Sequence, residues 1–559
     1  MTTSPLVLGP MLRYVDDTSA SIWFETREAA GVVVTAGGRS WSARTFAVHG
    51  HHYALVEVSG LEPGTVTPYS VRIDGMDVWP ARDSSFPASV IATLGKGSRL
   101  RLSFGSCRTS VPHDAGGNRT HGVDALRAYA LTMASSGQHP DWPDLMLFLG
   151  DQVYADLTSE AMQEFISARR DITQPPGTEL ADYEEYAHLY GLAWSDEANR
   201  WLLSTVPIAM IFDDHDVRDD WNASLSWKRK MEATSWWRGR IVAGLASYWV
   251  YQHLGNLSPR DRADDEIWRR IALHSSDDQT GAEIDLSSVL DEFAERCDRE
   301  PAGYRWSYCR DFDDVRLIVV DSRAARVLDP ERRALLDDKE SEWLDGRMQG
   351  GFRHLLVGTS LPFLLPSGLH HMESWDEAIS EGAWGRLASG LGERLRQALD
   401  LEHWAAFQRS FRTMAAMAVE VADGRRGRAP ETVTFLSGDV HFSYVSEVER
   451  FSGSRIIQAV CSPIRNPLPV FMRSFSALVS YGIATRLSGW LARSAGVARL
   501  PFRWAGITGP WFENSLATLA DTPDGLKLWW VSGVVNHGDE LNPSAKEIAG
   551  ILIAPRNSG

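Results

Sequence analysis

A chain of 559 residues is too long for one ordinary domain, and two domains are the default reading. Its 44% apolar and 23% charged residues are those of a globular protein, and a net charge of −17 argues against generic nucleic-acid binding. The four cysteines, Cys107, Cys297, Cys309 and Cys461, include no Cys-x-x-Cys pair, so neither a zinc cluster nor a disulfide framework is indicated. The start, Met1 to Pro5, has no basic segment leading into an apolar run, and Arg169-Arg170 lies too far inside for a twin-arginine signal. No apolar stretch approaches the roughly 18 residues of a spanning helix. The chain reads as cytoplasmic.

Residues 1–95 read as strands and turns, an N-terminal β-sandwich. Ser21–Glu25, Gly31–Thr35 and His52–Val58 are β-branched or aromatic runs between Gly-rich turns. Leu61-Glu62-Pro63-Gly64 followed by the Pro68–Ile73 run, with Tyr69, resembles the end of a fibronectin type III-like sandwich. No cluster of His, Cys and acids lies here, so a packing or positioning role is expected.

From residue 96 the pattern changes to strands alternating with helices, one domain over 96–559. Val123–Met133 has apolar residues at helical spacing, with Asp124 placed to stabilise its N-terminus. Residues 156–206 and 224–300 read as helices, with Ser275–Gly281 as a loop. Val315–Val320 and His354–Val357 are strand-like, and 384–417 is mostly helical. Leu516–Ala520 and Leu526–Trp530 around Asp521-Thr522-Pro523-Asp524-Gly525 form a C-terminal β-hairpin. Between them, residues 450–512 hold no Asp or Glu but eight arginines, interleaved with aromatics over 469–504. That segment is open to two readings: a basic amphipathic surface meeting anionic substrate or a membrane periphery, or arginines paired with acids elsewhere.

Four apolar runs end in chemistry. Leu102-Ser103-Phe104 leads to Gly105-Ser106-Cys107, and Leu147-Phe148-Leu149 to Gly150-Asp151-Gln152-Val153-Tyr154-Ala155-Asp156. Pro207–Phe212 leads to Asp213-Asp214-His215-Asp216, and Val433–Ser437 to Gly438-Asp439-Val440-His441. In an open α/β sheet, ligands bind at such strand ends. Carboxylate, imidazole, thiolate and phenolate are all metal ligands, and a carboxylate such as Asp151 has two oxygens to share between cations. Two cations a few ångströms apart, about 3.5–4 Å, suit in-line displacement at phosphorus. Read singly, each motif has a plainer meaning: a Gly-Asp turn, a buried core Cys107, a packed Tyr154, or a turn-capping Asp213, left out of the ligand set for that reason. Asp216, Asn222 and Asp321 stand between ligand and supporting roles. Arg108 and Arg323 stand between phosphate contact and ion pairing.

Taken together and in order, these motifs, with Asp219-Asp220-Trp221-Asn222, resemble those of the alkaline phosphatase D (PhoD-like) family, in the calcineurin-like metallophosphoesterase superfamily. The resemblance spans roughly residues 96–465. It implies a four-layer α/β/β/α fold and hydrolysis of phosphate monoesters or diesters by in-line attack of metal-bound hydroxide. It further implies that Cys107 and Tyr154 hold Fe3+, that Asp151 bridges to a second ion, and that Asp214, Asp439 and His441 complete the site. The second ion is Ca2+ by resemblance, with Mn2+, Zn2+ or Mg2+ open. His215 matches the histidine beside the transferring phosphoryl group, where it stabilises charge or protonates the leaving oxygen. Alternatives are a phosphodiesterase of lipid or nucleotide phosphates and a non-catalytic protein binding anionic lipid on the same fold. No Gly-x-Ser-x-Gly elbow, Walker loop or His-Glu-x-x-His occurs.

Overall fold

The computed structural model describes residues 4–136, 142–277, 282–399, 401–468 and 483–555. Two mixed sheets pack face to face at its centre. The first runs Ile208–Ile211, Leu145–Leu149, Arg101–Gly105, Leu516–Thr522, Gly525–Asn536, Asp539–Pro555. Its first three strands are parallel, and the C-terminal strands extend it antiparallel from Arg101–Gly105. The expected hairpin thus completes a central sheet. The second runs Tyr308–Phe312, Val315–Val320, His354–Thr359, Thr432–Ser437, Arg455–Val460, Ser443–Val448, Trp504–Trp511.

Side-chain alternation makes the layers. Leu145, Leu147 and Leu149 point inward and meet Leu317, Val319 and Leu356 of the facing sheet. Met146 and Phe148, one residue out of phase, join the core under one helical layer, while Ile318, Val320, Leu355 and Val357 pack beneath the other. A strand buried on both faces has no polar side to show. That is why these runs are continuously apolar.

Residues 4–92 form a two-sheet β-sandwich. One sheet is Leu6–Val15, Ser19–Thr26, His51–Ser59 and Phe46–Val48; Gly31–Ala36, Arg39–Arg44, Val66–Ile73, Met76–Trp79 and Val90–Ala92 make the other. Ile284–Asp285, from the helical region, adds a short parallel strand against Phe46–Val48.

Two local expectations change. The helix Glu266–Asp277 runs through Ser275, Ser276 and Asp277, read as loop, because its apolar stripe at Ile267 and Ile271 is buried and Ser275 bonds back to the Ile271 carbonyl. Residues 278–281 lie outside the described residues. The segment 450–512 is not one unit. It contributes the strands Arg455–Val460 and Trp504–Trp511 and the helix Ile483–Ser494. Arg455 pairs with Glu447, Arg450 with Asp423, and Arg465 donates to the carbonyls of Val111, Pro112 and Gly122. The part over 469–482 lies outside the described residues. Among the described residues, no helix is long and apolar enough to cross a membrane.

Candidate metal centre

All four motif-bearing strands deliver their termini to one rim. There the backbone turns sharply enough that Cys107, Asp151, Asp439 and His441 adopt left-handed conformations, with φ of 58°, 48°, 64° and 56°. Donor atoms of Cys107, Asp151 and His441 lie within 4.8 Å of one another, as do those of Asp151, Asp213, Asp214 and Asp439. Asp151 belongs to both groups. Tyr154 joins the first: its hydroxyl stands 3.4 Å from Asp151 Oδ2, on the same oxygen that faces Cys107 Sγ at 3.4 Å.

The donor set fits cations. Four buried or half-buried carboxylates crowd a thiol; burial first, and then the like charges, raise Asp151 and Asp213 well above the ordinary carboxylate value, raise Asp214 more modestly, and push the Cys107 thiol well up. Asp151 Oδ1, Asp213 Oδ2 and Asn222 Oδ1 are buried with no hydrogen-bond partner. Buried oxygens left unpaired are costly, and a cation supplies the missing partner.

Arg323 is the counter-charge that the chain itself provides. Fully buried, it pairs with Asp213 through Nε, with Asp214 at 3.2 Å and with Glu402 at 2.5 Å, and stands 3.9 Å from Asp439. It is committed to carboxylates, not placed for phosphate. Asp213 therefore serves this cluster and not a turn cap. Arg108 is likewise a buried ion pair, bonded to Asp124 at 2.8 and 3.0 Å and to the Ala193 carbonyl, and Asp124 also caps the helix Ala125–Ser136. Asp321 accepts from the amides of Arg323, Ala324 and Ala325, so it shapes the turn that presents Arg323. Asp216 staples two rim loops: it accepts from the amides of Asp151, Asp213 and Val153 and from Gln252. Asn222 donates to the Arg323 carbonyl at 3.3 Å, leaving its own oxygen free.

His215 Nδ1 lies 2.9 and 3.0 Å from the two oxygens of Asp156, and its ring packs tilted against Tyr154, at 4.8 Å between centroids. Burial opposes its charge, but Asp156 and Asp214 outweigh that and raise its pKa well above the ordinary value, while Asp156 is held down to about 2. Sequence reasoning passed over three further residues. His403 bridges Glu373 at 2.7 Å and Asp439 at 2.8 Å, and that contact holds Asp439 low despite burial. Glu402 ties Arg323 to Arg326. These residues and the rim border an open cleft of about 220 Å³, with Leu365, Leu369, Met372 and Phe442 on its apolar wall.

Two facing sheets between helices, with carboxylates, thiol and imidazoles gathered at their strand ends, make a four-layer α/β/β/α fold with a candidate metal centre at its rim. The PhoD-like phosphatase family model matches residues 124–469, more than half of the chain, and the chain belongs to that family. Residues 3–91 match a domain of unknown function (DUF7800). A solved structure described as that of PhoD aligns over 98% of this chain and 90% of its own length, with a TM-score of 0.58 at 13% identity. A carbohydrate acetylesterase from Xanthomonas citri aligns over 53% of this chain and 73% of its own, with a TM-score of 0.17 at 10% identity. No curated protein matches.

Proposed function

We propose that this phosphatase hydrolyses phosphate esters with two or more metal ions held at the rim. The observation that carries the reading is Asp151, one carboxylate common to two groups of donor atoms. Cys107, Tyr154, His441 and Asp151 would hold one ion, where thiolate and phenolate donors suit a Lewis-acidic Fe3+. Asp151, Asp214 and Asp439, with Asp213, would hold the other at an all-oxygen position suited to Ca2+, with Mn2+, Zn2+ or Mg2+ open. Such ions supply Lewis acidity, acidifying water and neutralising the phosphoryl group.

The chain does the rest. Asp156 holds Nδ1 of His215 and leaves Nε2 for the cleft, where it donates to the developing charge on phosphorus or to the leaving oxygen. Arg323 and His403 set positive charge against the rim carboxylates. Asp216 fixes the loops of Asp151 and Asp213 in register.

Metal analysis of purified protein, paired with hydrolysis of p-nitrophenyl phosphate and bis-p-nitrophenyl phosphate, tests this. Bound transition metal should be present in the wild type and fall, together with activity, in Asp151→Asn and Cys107→Ser. Wild-type protein inactive after reconstitution with iron, calcium, manganese and zinc would overturn the reading.

A further inference from the structure

Two helices beside the cleft turn their apolar faces the wrong way. The helix Arg386–Ala398 approaches the helix Ser367–Ser380 at Gly392, where a side chain would collide with Ser380 and Ile379. The helix Ile483–Ser494 approaches the same helix at Gly489, against His371. Small residues face inward, so the long apolar ones are left outside. Leu387, Leu391 and Arg394 recur at i, i+4 and i+7 on the first helix; Arg486, Leu487, Trp490 and Arg493 share the outer side of the second. Leu387 is 96% exposed, Leu391 66%, and Leu487 and Trp490 each 58%. Trp384, 45% exposed, donates its indole N–H to the Ser494 carbonyl and joins the two helices into one face.

This face is also cationic. Arg386, Arg394, Arg486 and Arg493 are exposed, and among the described residues they form no ion pair. Leucine and tryptophan ringed by unpaired arginines match a bilayer interface: the apolar groups enter the acyl boundary and the guanidinium groups meet lipid phosphates. A second copy of the chain suits the face less well, because a two-fold contact would set these arginines against one another. The helix Ser367–Ser380, on which both helices of the face rest, also lines the cleft, through Leu369, Met372 and Glu373.

We propose that this paired-helix face docks on an anionic phospholipid surface. The docking presents the cleft to phosphate esters carried in that surface, a consequence that rests on the phosphoesterase reading where the docking itself does not. Full-length protein should sediment with phosphatidylcholine vesicles that contain phosphatidylglycerol and not with phosphatidylcholine alone, and salt should release it. Leu387→Glu with Trp490→Glu, and Arg486→Glu with Arg493→Glu, should each weaken vesicle binding about tenfold or more while hydrolysis of soluble bis-p-nitrophenyl phosphate stays unchanged. Asp151→Asn should bind vesicles as the wild type does. Vesicle binding with no hydrolysis in any form removes the enzyme reading and leaves the docking standing. Wild-type protein that stays in the supernatant, or both double variants binding as well as the wild type, overturns the docking. So does a dimer in size-exclusion chromatography that either double variant converts to monomer without any vesicle binding.

Discussion

Cys107, Asp151, Asp220, Asn222, Asp439 and His441 all hold left-handed backbone at one rim, although none is glycine. Each such residue costs on the order of 1–3 kcal/mol, which persists only where surrounding structure imposes it and the side chain is needed. His215 and Asp156 carry the prediction at this scale. Because Asp156 alone fixes Nδ1, Asp156→Asn should lower kcat by roughly tenfold to a hundredfold, and His215→Ala by about 100- to 10,000-fold. Both should retain the metal content of the wild type, measured by metal analysis alongside kcat; loss of metal in either would assign these residues to ligation. The strand-end motifs were legible because four of them occur together and in order; a single Gly-Asp at a strand end is more often a plain turn. The partners of those motifs were not. Asp439 and His403 meet across 36 positions of chain, and nothing local in Leu401-Glu402-His403-Trp404 marks a site. The commitment of Arg323 to four carboxylates likewise follows only from the fold, since a sequence shows an arginine's charge but not the depth at which it is buried.

At the scale of elements, continuous apolar and β-branched runs identified the strands, and the paired layers were implied by the family resemblance. Helix ends and lateral neighbours were harder to foresee, because they depend on what packs beside them. The helix Trp237–Tyr248 shows why. It passes into a π turn, Trp249–His253, and then a 3-10 turn, Leu254–Asn256. The π turn places His253 among Tyr248, Tyr304 and Trp306 with both ring nitrogens unpartnered. Burial, with Arg305 and Arg13 nearby, pushes its pKa down to about 3. The unfolded chain therefore binds a proton that the folded chain refuses, between the ordinary value of 6.5 and about 3. The stability this residue allows is complete above pH 6.5 and drains away as pH falls through that window. Between pH 7 and pH 5 the loss is about 2 kcal/mol. His253→Phe keeps the ring and removes the titration, so urea unfolding at the two pH values should show the variant losing about 2 kcal/mol less than the wild type. Parallel losses would show that the imidazole finds a proton partner in the folded chain.

Across the whole molecule, the N-terminal sandwich and the phosphatase layers share a core. Leu8, Met11, Trp23, Phe46 and Tyr53 belong to the same apolar cluster as Tyr186, Trp201, Leu245, Trp249 and Tyr251. Arg13 crosses the seam completely buried, donating to the carbonyls of Tyr251 at 2.7 Å and Gln252 at 2.5 Å. Gly255 makes room for it, since a β-carbon there would stand 2.3 Å from Arg13 Nε. Tyr53, Tyr183, Tyr251 and Glu25 add a buried chain of hydroxyl hydrogen bonds across the same seam. Gln252, whose carbonyl Arg13 holds, donates its amide to Asp216, and Asp216 staples the loops of Asp151 and Asp213. The sandwich is thus physically continuous with the support of the rim. A seam this apolar and this bonded should not open ahead of the rest, so calorimetry should show one unfolding transition for both regions. Arg13→Met removes a donor from three buried carbonyls, those of Ile208, Tyr251 and Gln252, at about 1–3 kcal/mol each. It should move that whole transition down by a few degrees without splitting it. A wild-type trace with two resolved transitions, or an Arg13→Met variant in which only one part melts early, would show that the sandwich folds on its own and merely rests against the phosphatase.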